Sequence, residues 1–290
     1  MHTQDLADLA VGAAKEAYFE RSGLISLDGF ASVSYAGLFA ELERAQSAFL
    51  ARDEEFRSPQ HPWARDLLHE FSRCWEYPYA IAQLLSRRPA ANAPSVLDFG
   101  SGVTFFPFVL AGEGWNVTCV DNDPFAVRDV TVAAHVFGVA QRVRASQNDG
   151  STVPLGAASV DAAYSISVLE HVSDPLAVIG EIARVLRPDG TFVLTMDVDL
   201  KGDGAIVPDM FDALIRELDR WFVRTLAERT VHPRRVLDTF NSPFPRKRQK
   251  QVAGLMLRRR NGTLLPVVGG PIAPDPVHLA CYVGTFTRRS

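Results

Sequence analysis

Cysteine is scarce in this chain of 290 residues: Cys74, Cys119 and Cys281 are the whole complement. They have no C-x-x-C spacing, which excludes a disulfide framework and a structural zinc site. Long apolar runs are missing as well. No stretch approaches the roughly 18 residues that a membrane-crossing helix needs. The opening MHTQDLADLA lacks the basic start and apolar core of an export signal, so a reducing cytoplasm is the expected compartment. Charge of one sign is not in excess. A net charge of -4 with 22% charged residues gives no field suited to nucleic acid or a membrane surface. Internal repeats and low-complexity tracts are lacking too. What remains is a 47% apolar chain, long enough for one large domain with an appendage.

The stretch from Ser95 to Asp123 organises the rest. An apolar run through Val96, Leu97 and Phe99 breaks at Gly100-Ser101-Gly102, continues as an apolar segment to Gly112, and ends in a second run from Val117 to Val120. The pattern predicts strand, glycine turn, helix and strand, with Asp98 and Asp121 at the strand tips. Ligands of open α/β sheets bind beyond the carboxyl ends of the strands, so both acids and the turn face one crevice. A carboxylate about twenty residues past such glycines suits ribose hydroxyls, which makes an adenosine-bearing molecule the expected ligand. A nicotinamide fingerprint wants a third glycine where this chain has Phe105. Thr104 is the expected N-cap of the following helix, with Pro107 in its first turn.

Asp98, Gly100, Gly102 and Asp121 resemble the first motif and second-strand acid of the class I S-adenosylmethionine-dependent methyltransferases, with Thr104 where that loop usually has its third glycine. Downstream, Asn148-Asp149-Gly150 and Val153-Pro154-Leu155 follow a short strand from Arg142 to Ala145, after a helix from Pro124 to Phe137 stopped by Gly138. The run Ser167-Val168-Leu169-Glu170-His171-Val172 follows a strand from Val160 to Ser165. A helix from Asp174 to Leu186 and a turn at Arg187-Pro188-Asp189-Gly190 lead to a strand from Thr191 to Met196. These segments are similar to the S-x-L-E-H-V and L-R-P-G-G regions of bacterial methyltransferases that act on small metabolites, and the likeness covers residues 93 to 200.

The resemblance implies a Rossmann-like, seven-stranded, mostly parallel sheet with an antiparallel strand near its edge and helices on both faces. It also implies S-adenosylmethionine as cofactor. Asp98, Gly100 and Gly102 then shape the methionine site, Asp121 serves the ribose, Asp149 accepts from the adenine amino group beside Gly150, and Ser101, Asn122 and Ser165 complete the cofactor-binding set. For a hydroxyl acceptor a general base helps, and His171 is the best placed of seven histidines, ahead of His232 and His278. A packing role in its loop is the alternative. The expected acceptor is a small polar metabolite, a sugar or natural-product hydroxyl. A nicotinamide oxidoreductase and a non-catalytic module are the alternatives, and a homo-oligomer is left open.

Residues 1 to 90 read as a helical lid, with Trp75, Tyr77 and Tyr79 either packing the appendage onto the sheet or lining a substrate pocket. Asp197, Asp199 and Asp203 tempt a metal reading, but a solvated loop is expected and no metal is assigned. Residues 202 to 276 are the expected substrate region. A helical stripe runs from Phe211 to Leu226, starting near Pro208. From His232 onward eleven Arg and Lys oppose Asp238 and Asp275, an excess of nine that would draw an anionic acceptor or form a solvated basic face. Val252 to Leu257 and His278 to Thr287, separated by Gly269-Gly270-Pro271, are the last expected strands.

Overall fold

A computed structural model describes residues 3–60, 64–199, 206–244, 256–260, 263–267 and 279–290. Five strands of the sheet run parallel: β2 (Ser95–Phe99), β3 (Asn116–Asp121), β4 (Val143–Gln147), β5 (Val160–Ile166) and β6 (Leu186–Asp199), with β4 at one edge. β1 (Gly23–Leu24), β7 (Phe222–Arg224) and β10 (Leu279–Arg288) complete it, in the order β1-β10-β6-β5-β2-β3-β4 with β7 also on β10. β8 (Met256–Arg260) and β9 (Thr263–Val267) form a separate antiparallel hairpin. The fold is Rossmann-like α/β, as the motifs imply. β10 is the antiparallel strand, and its outer edge is shared: Val283 and Tyr282 pair with β1, while Phe286 to Arg288 pair with β7.

The helices are α1 (Thr3–Ala13), α2 (Val33–Leu50), α3 (Arg73–Ser86), α4 (Phe106–Gly112), α5 (Pro124–Val136), α6 (Pro175–Val185) and α7 (Pro208–Trp221). Their starts follow local chemistry. Ser32 accepts from the Tyr35 N–H at 3.1 Å, Asp123 from Phe125 at 2.9 Å and Asp174 from Ala177 at 3.0 Å, each satisfying a donor that the first turn leaves without a helical partner. Proline opens α5, α6 and α7, where its missing N–H costs nothing. α4 differs from expectation. Its N-cap is Phe105, without a side-chain bond, and Thr104 lies one residue outside.

Two further expectations are corrected. The turn at Arg187 to Gly190 belongs to β6, which begins at Leu186 and passes a bulge opposite Val160 and Ala162, with Asp189 at φ 63°. Asp197 and Asp199 are buried residues of β6 and not a solvated loop, because the strand continues three residues past Met196 to pair with β10. Of the strand expected from Val252 to Leu257 only Met256 and Leu257 are described, at the start of β8; the strand expected from His278 to Thr287 is β10, and β9 lies between them where no strand was expected. Asp203, Arg246, Lys247, Arg248, Lys250, Gly269, Gly270, Pro271, Asp275 and His278 lie outside the described residues.

β2 and β5, inside the sheet, are buried on both faces because helices cover both. One core joins the N-terminal helices to one face of the sheet through Phe19, Leu38, Trp75, Tyr79 and Leu110; the other packs Ile179, Ile182, Leu214 and Leu218 against Leu97, Phe192 and Leu194. Each such fully buried side chain contributes about 1.5–3 kcal/mol of transfer free energy. Trp75 stacks on Tyr35 and Phe19 at centroid distances of 5.1 and 5.0 Å, so this ring and Tyr79 are packing residues.

Candidate active site

At the carboxyl tips of β2 and β3 the chain turns through Gly100 and Gly102, at φ +74° and +52°, where a side chain would be strained. A Cβ on Gly100 would also sit 2.4 Å from Val168. The turn is tied to β3, with the N–H groups of Gly100 and Ser101 donating to the Val120 carbonyl at 2.8 and 3.2 Å. The Gly102 N–H donates to Asp121 Oδ2 at 2.8 Å, and Asp121 Oδ1 accepts from Asp123 N–H at 2.9 Å. Asp121 thus fixes the glycine loop while lining the cleft. The Asn148 N–H donates to the Asp121 carbonyl, and its side chain accepts from Gly150 N–H at 3.1 Å.

These groups bound a cavity of about 180 Å³ that takes in Asp98, Gly100, Ser101, Gly102, Asp121, Asn122, Gly150 and His171 of the predicted set. Two predicted residues stand apart from its lining. Asp149 is exposed, and its Oδ1 accepts from the N–H groups of Ser151 and Thr152 at 2.9 and 2.8 Å and from both hydroxyls. Those bonds hold its carboxyl well below the usual range and make it the cap of a turn. Ser165 is fully buried within β5.

Asp98 is 4% exposed, and burial, reinforced by the nearby Asp121 charge, pushes its carboxyl up to about 8. The Tyr164 hydroxyl beside it gives partial relief. That hydroxyl is itself buried, with no hydrogen bond of good geometry among the described residues. Tyr77 and Tyr164 both line the cavity, flanking Phe106 at ring distances of 5.2 Å.

The far wall joins the Ser167–Val172 segment to Arg73 and Glu76, which carried no predicted role. Glu76, on α3, is fully buried and accepts from Ser167 Oγ and Thr195 Oγ1 at 2.6 Å, Cys281 Sγ at 3.2 Å, Ser72 Oγ at 3.2 Å and Arg73 Nη1 at 2.8 Å. Burial pushes the Glu76 carboxyl up, but Arg73 and the hydroxyl donors outweigh it and hold it below the ordinary value. Ser167 has φ 48°, a strained position for serine, held by its hydroxyl on Glu76 and its N–H on the Thr195 carbonyl at 3.0 Å. Arg73, Ser167, Val168 and His171 all line the cavity, so α3 fixes the loop that carries His171. Behind it, burial and then Asp197 push Glu170 up to about 8. Glu76, Asp197 and Cys281 lie within 4.8 Å of one another, but the Glu76 oxygens already serve five donors. One sequence signal pointed here: a Glu in the middle of an aromatic helix with Arg three residues before it.

Residues 97–194 match the model of a family described as a methyltransferase domain. A probable S-adenosylmethionine-dependent methyltransferase of Mycobacterium tuberculosis is 34% identical over 107 residues, 37% of each chain. An uncharacterized methyltransferase of Mycobacterium sp. (strain JLS) is 36% identical over 104 residues, 36% of this chain and 39% of the relative; one of Mycobacteroides abscessus is 29% identical over 164 residues, 55% and 59%. The similarity therefore spans well under two thirds of these relatives. Among solved structures, a SAM dependent methyltransferase of Aquifex aeolicus aligns over 83% of this chain and 97% of its own, at 15% identity and a TM-score of 0.44.

Proposed function

We propose that the protein transfers a methyl group from S-adenosylmethionine to a small polar acceptor. The observation that carries this reading is the convergence of Asp98, the Gly100–Gly102 turn, Asp121 and the Asn148–Gly150 segment on one cleft, within the residues that match a methyltransferase domain. The residues suit the cofactor. A Cβ on Gly102 would meet only Thr104, at 4.0 Å, so the missing side chain leaves open room beside the turn. Tyr164 supplies a buried hydroxyl still in want of a partner, and Asp98 a carboxyl that a cation would ionise.

In this reading Asp98 and Tyr164 receive the ammonium end, Asp121 the ribose hydroxyls, and Asn122 with the Gly150 backbone the adenine edge. Asp149 acts through its turn, by fixing Gly150. When bound, the cofactor supplies an electrophilic methyl carbon on a positively charged sulfur. The chain aligns an acceptor against it and excludes water. Arg73 and His171 line the acceptor side, and His171 takes the proton of an acceptor hydroxyl. The expected acceptor is a sugar or natural-product hydroxyl. A nicotinamide cofactor is disfavoured because Phe105, 2% exposed, occupies the position of its third glycine.

Titration calorimetry with S-adenosylhomocysteine and with NAD tests the reading: tight binding of the first and none of the second is expected, and the reverse would overturn it. Turnover of labelled cofactor against a metabolite extract then identifies the acceptor and separates an enzyme from a non-catalytic module. For His171, the Gln variant should keep cofactor affinity and lose roughly a hundredfold in kcat. Unchanged turnover would remove it from the mechanism.

A further inference from the structure

A second cavity, of about 280 Å³, lies beside β1, where residues 17–28 meet residues 229–235. The order of the sheet puts β10, β6 and β5 between this edge and β2, so it is separate from the cofactor cleft. Its lining is rich in cations: Arg21, Arg229 and Arg235 with His232, against the single acid Asp28. Arg235 already answers that acid, through its Nε at 2.8 Å and its Nη2.

Among the described residues Arg229 has no counter-charge. Its guanidinium lies over the Tyr18 ring at 5.5 Å, and Nη2 donates to the Tyr18 carbonyl. Nη1 is shielded from solvent and finds no acceptor among the described residues. The neighbouring acid Glu228 is engaged with Arg224 at 3.2 Å. Burial, with Arg21 as a like charge, lowers the Arg229 pKa, and only the tyrosines Tyr79 and Tyr18 act against that. A half-buried guanidinium with a like charge beside it and no acid opposite is costly in isolation. A ligand carrying two negative charges removes that cost, and a guanidinium fork suits tetrahedral oxygens. His232 adds to the fit. Its Nδ1 accepts from the Arg234 N–H at 3.3 Å, which leaves Nε2–H as a donor on the neutral ring. Ser26 also lines the cavity, its hydroxyl engaged with Asp28 Oδ2 at 3.2 Å.

We propose that this cavity is a binding site for a phosphoryl group, held by Arg229 and Arg21 with His232 and Arg235 at its rim. The site stands apart from the methyl-transfer reading and survives the failure of it. It also draws together the N-terminal segment and the start of the basic C-terminal stretch. Of that stretch, Arg288 and Arg289 instead donate to the carbonyls of Leu186 and Asp219, so the described cations do not form one face.

The test is calorimetric titration of the full chain with sodium phosphate, chloride being adjusted to keep ionic strength constant. Saturable binding is expected, weakened about tenfold or more in Arg229→Gln, the loss of one charge-assisted contact. Arg21→Gln, an exposed position that does not threaten folding, should weaken it in the same direction. A response no larger than that to chloride, or one that survives both substitutions in folded protein, overturns the proposal. Comparing inorganic phosphate with a phosphate monoester tells a free ion from a phosphoryl group carried on a larger molecule, the tighter of the two being the source.

Discussion

The two walls of the cleft are built by different means. The wall on the β2–β3–β4 side is made of backbone: glycine turns, N–H groups and Asp121, with partners at most 19 to 27 residues apart. The wall on the β5–β6–β10 side is made of side chains around Glu76, with partners 91, 119 and 205 residues away. The first wall is shaped by local conformation and is tolerant of what lies elsewhere. The second depends on one buried carboxylate from a helix outside the matched residues, so changes in that helix should reach the His171 loop.

The largest test of the contrast is Glu76→Ala. It leaves the partly exposed Arg73 without the carboxylate it bonds and the hydroxyls of Ser167 and Thr195 without their buried acceptor, and should cost about 3 kcal/mol in denaturant unfolding. Glu76→Gln should keep the hydroxyl bonds and recover part of that. A loss under about 1 kcal/mol for the alanine variant would show that the second wall does not hang on this residue. Gly100→Ala is the counterpart on the first wall. The positive φ and the 2.4 Å approach to Val168 should cost about 2–3 kcal/mol and abolish nucleoside binding.

Smaller effects separate the acids. Asp98→Asn should weaken S-adenosylhomocysteine binding by about tenfold at pH 8, the worth of one charged contact. In the wild type that affinity should fall as pH drops below about 8, since the ammonium end requires ionised Asp98. The stability of the ligand-free protein should run the other way. A carboxyl raised on folding contributes stability that is fully present below its unfolded pKa near 4 and is lost as pH rises to about 8. Asp98→Asn should therefore flatten the decline in Tm between pH 5 and 8, leaving the part due to Glu170, which is raised in the same sense. Asp149→Ala should be the mildest, about twofold in cofactor affinity, because its carboxylate caps a turn outside the cavity. A tenfold loss would restore it to direct contact.

The sequence made the first wall legible because periodicity, glycines and acids at strand tips are local signals with one spatial meaning. Asp98, Gly100, Gly102 and Asp121 converge as their spacing requires. Asp149 and Ser165 show the limit of that logic: a motif fixes the segment, while the direction of each side chain is settled by nearby donors, here Ser151 and Thr152, or by the alternation of the strand. Glu76 was hidden because nothing in its own helix reveals that Thr195 and Cys281 lie against it. β6 ran past its expected ends for a related reason. Strand length is set by the partner, and β10 pairs with it from Thr191 through Asp199.

The shared outer edge of β10 bears on the order in which the molecule assembles. Gly23 and Leu24 find their partners only at Val283 and Tyr282, some 260 positions later, and Glu76 waits for Cys281. During synthesis the early helices must persist with an unfinished flank and a buried-type acid until the final strand arrives, a long-range closure that makes folding slow and leaves the nascent chain open to association.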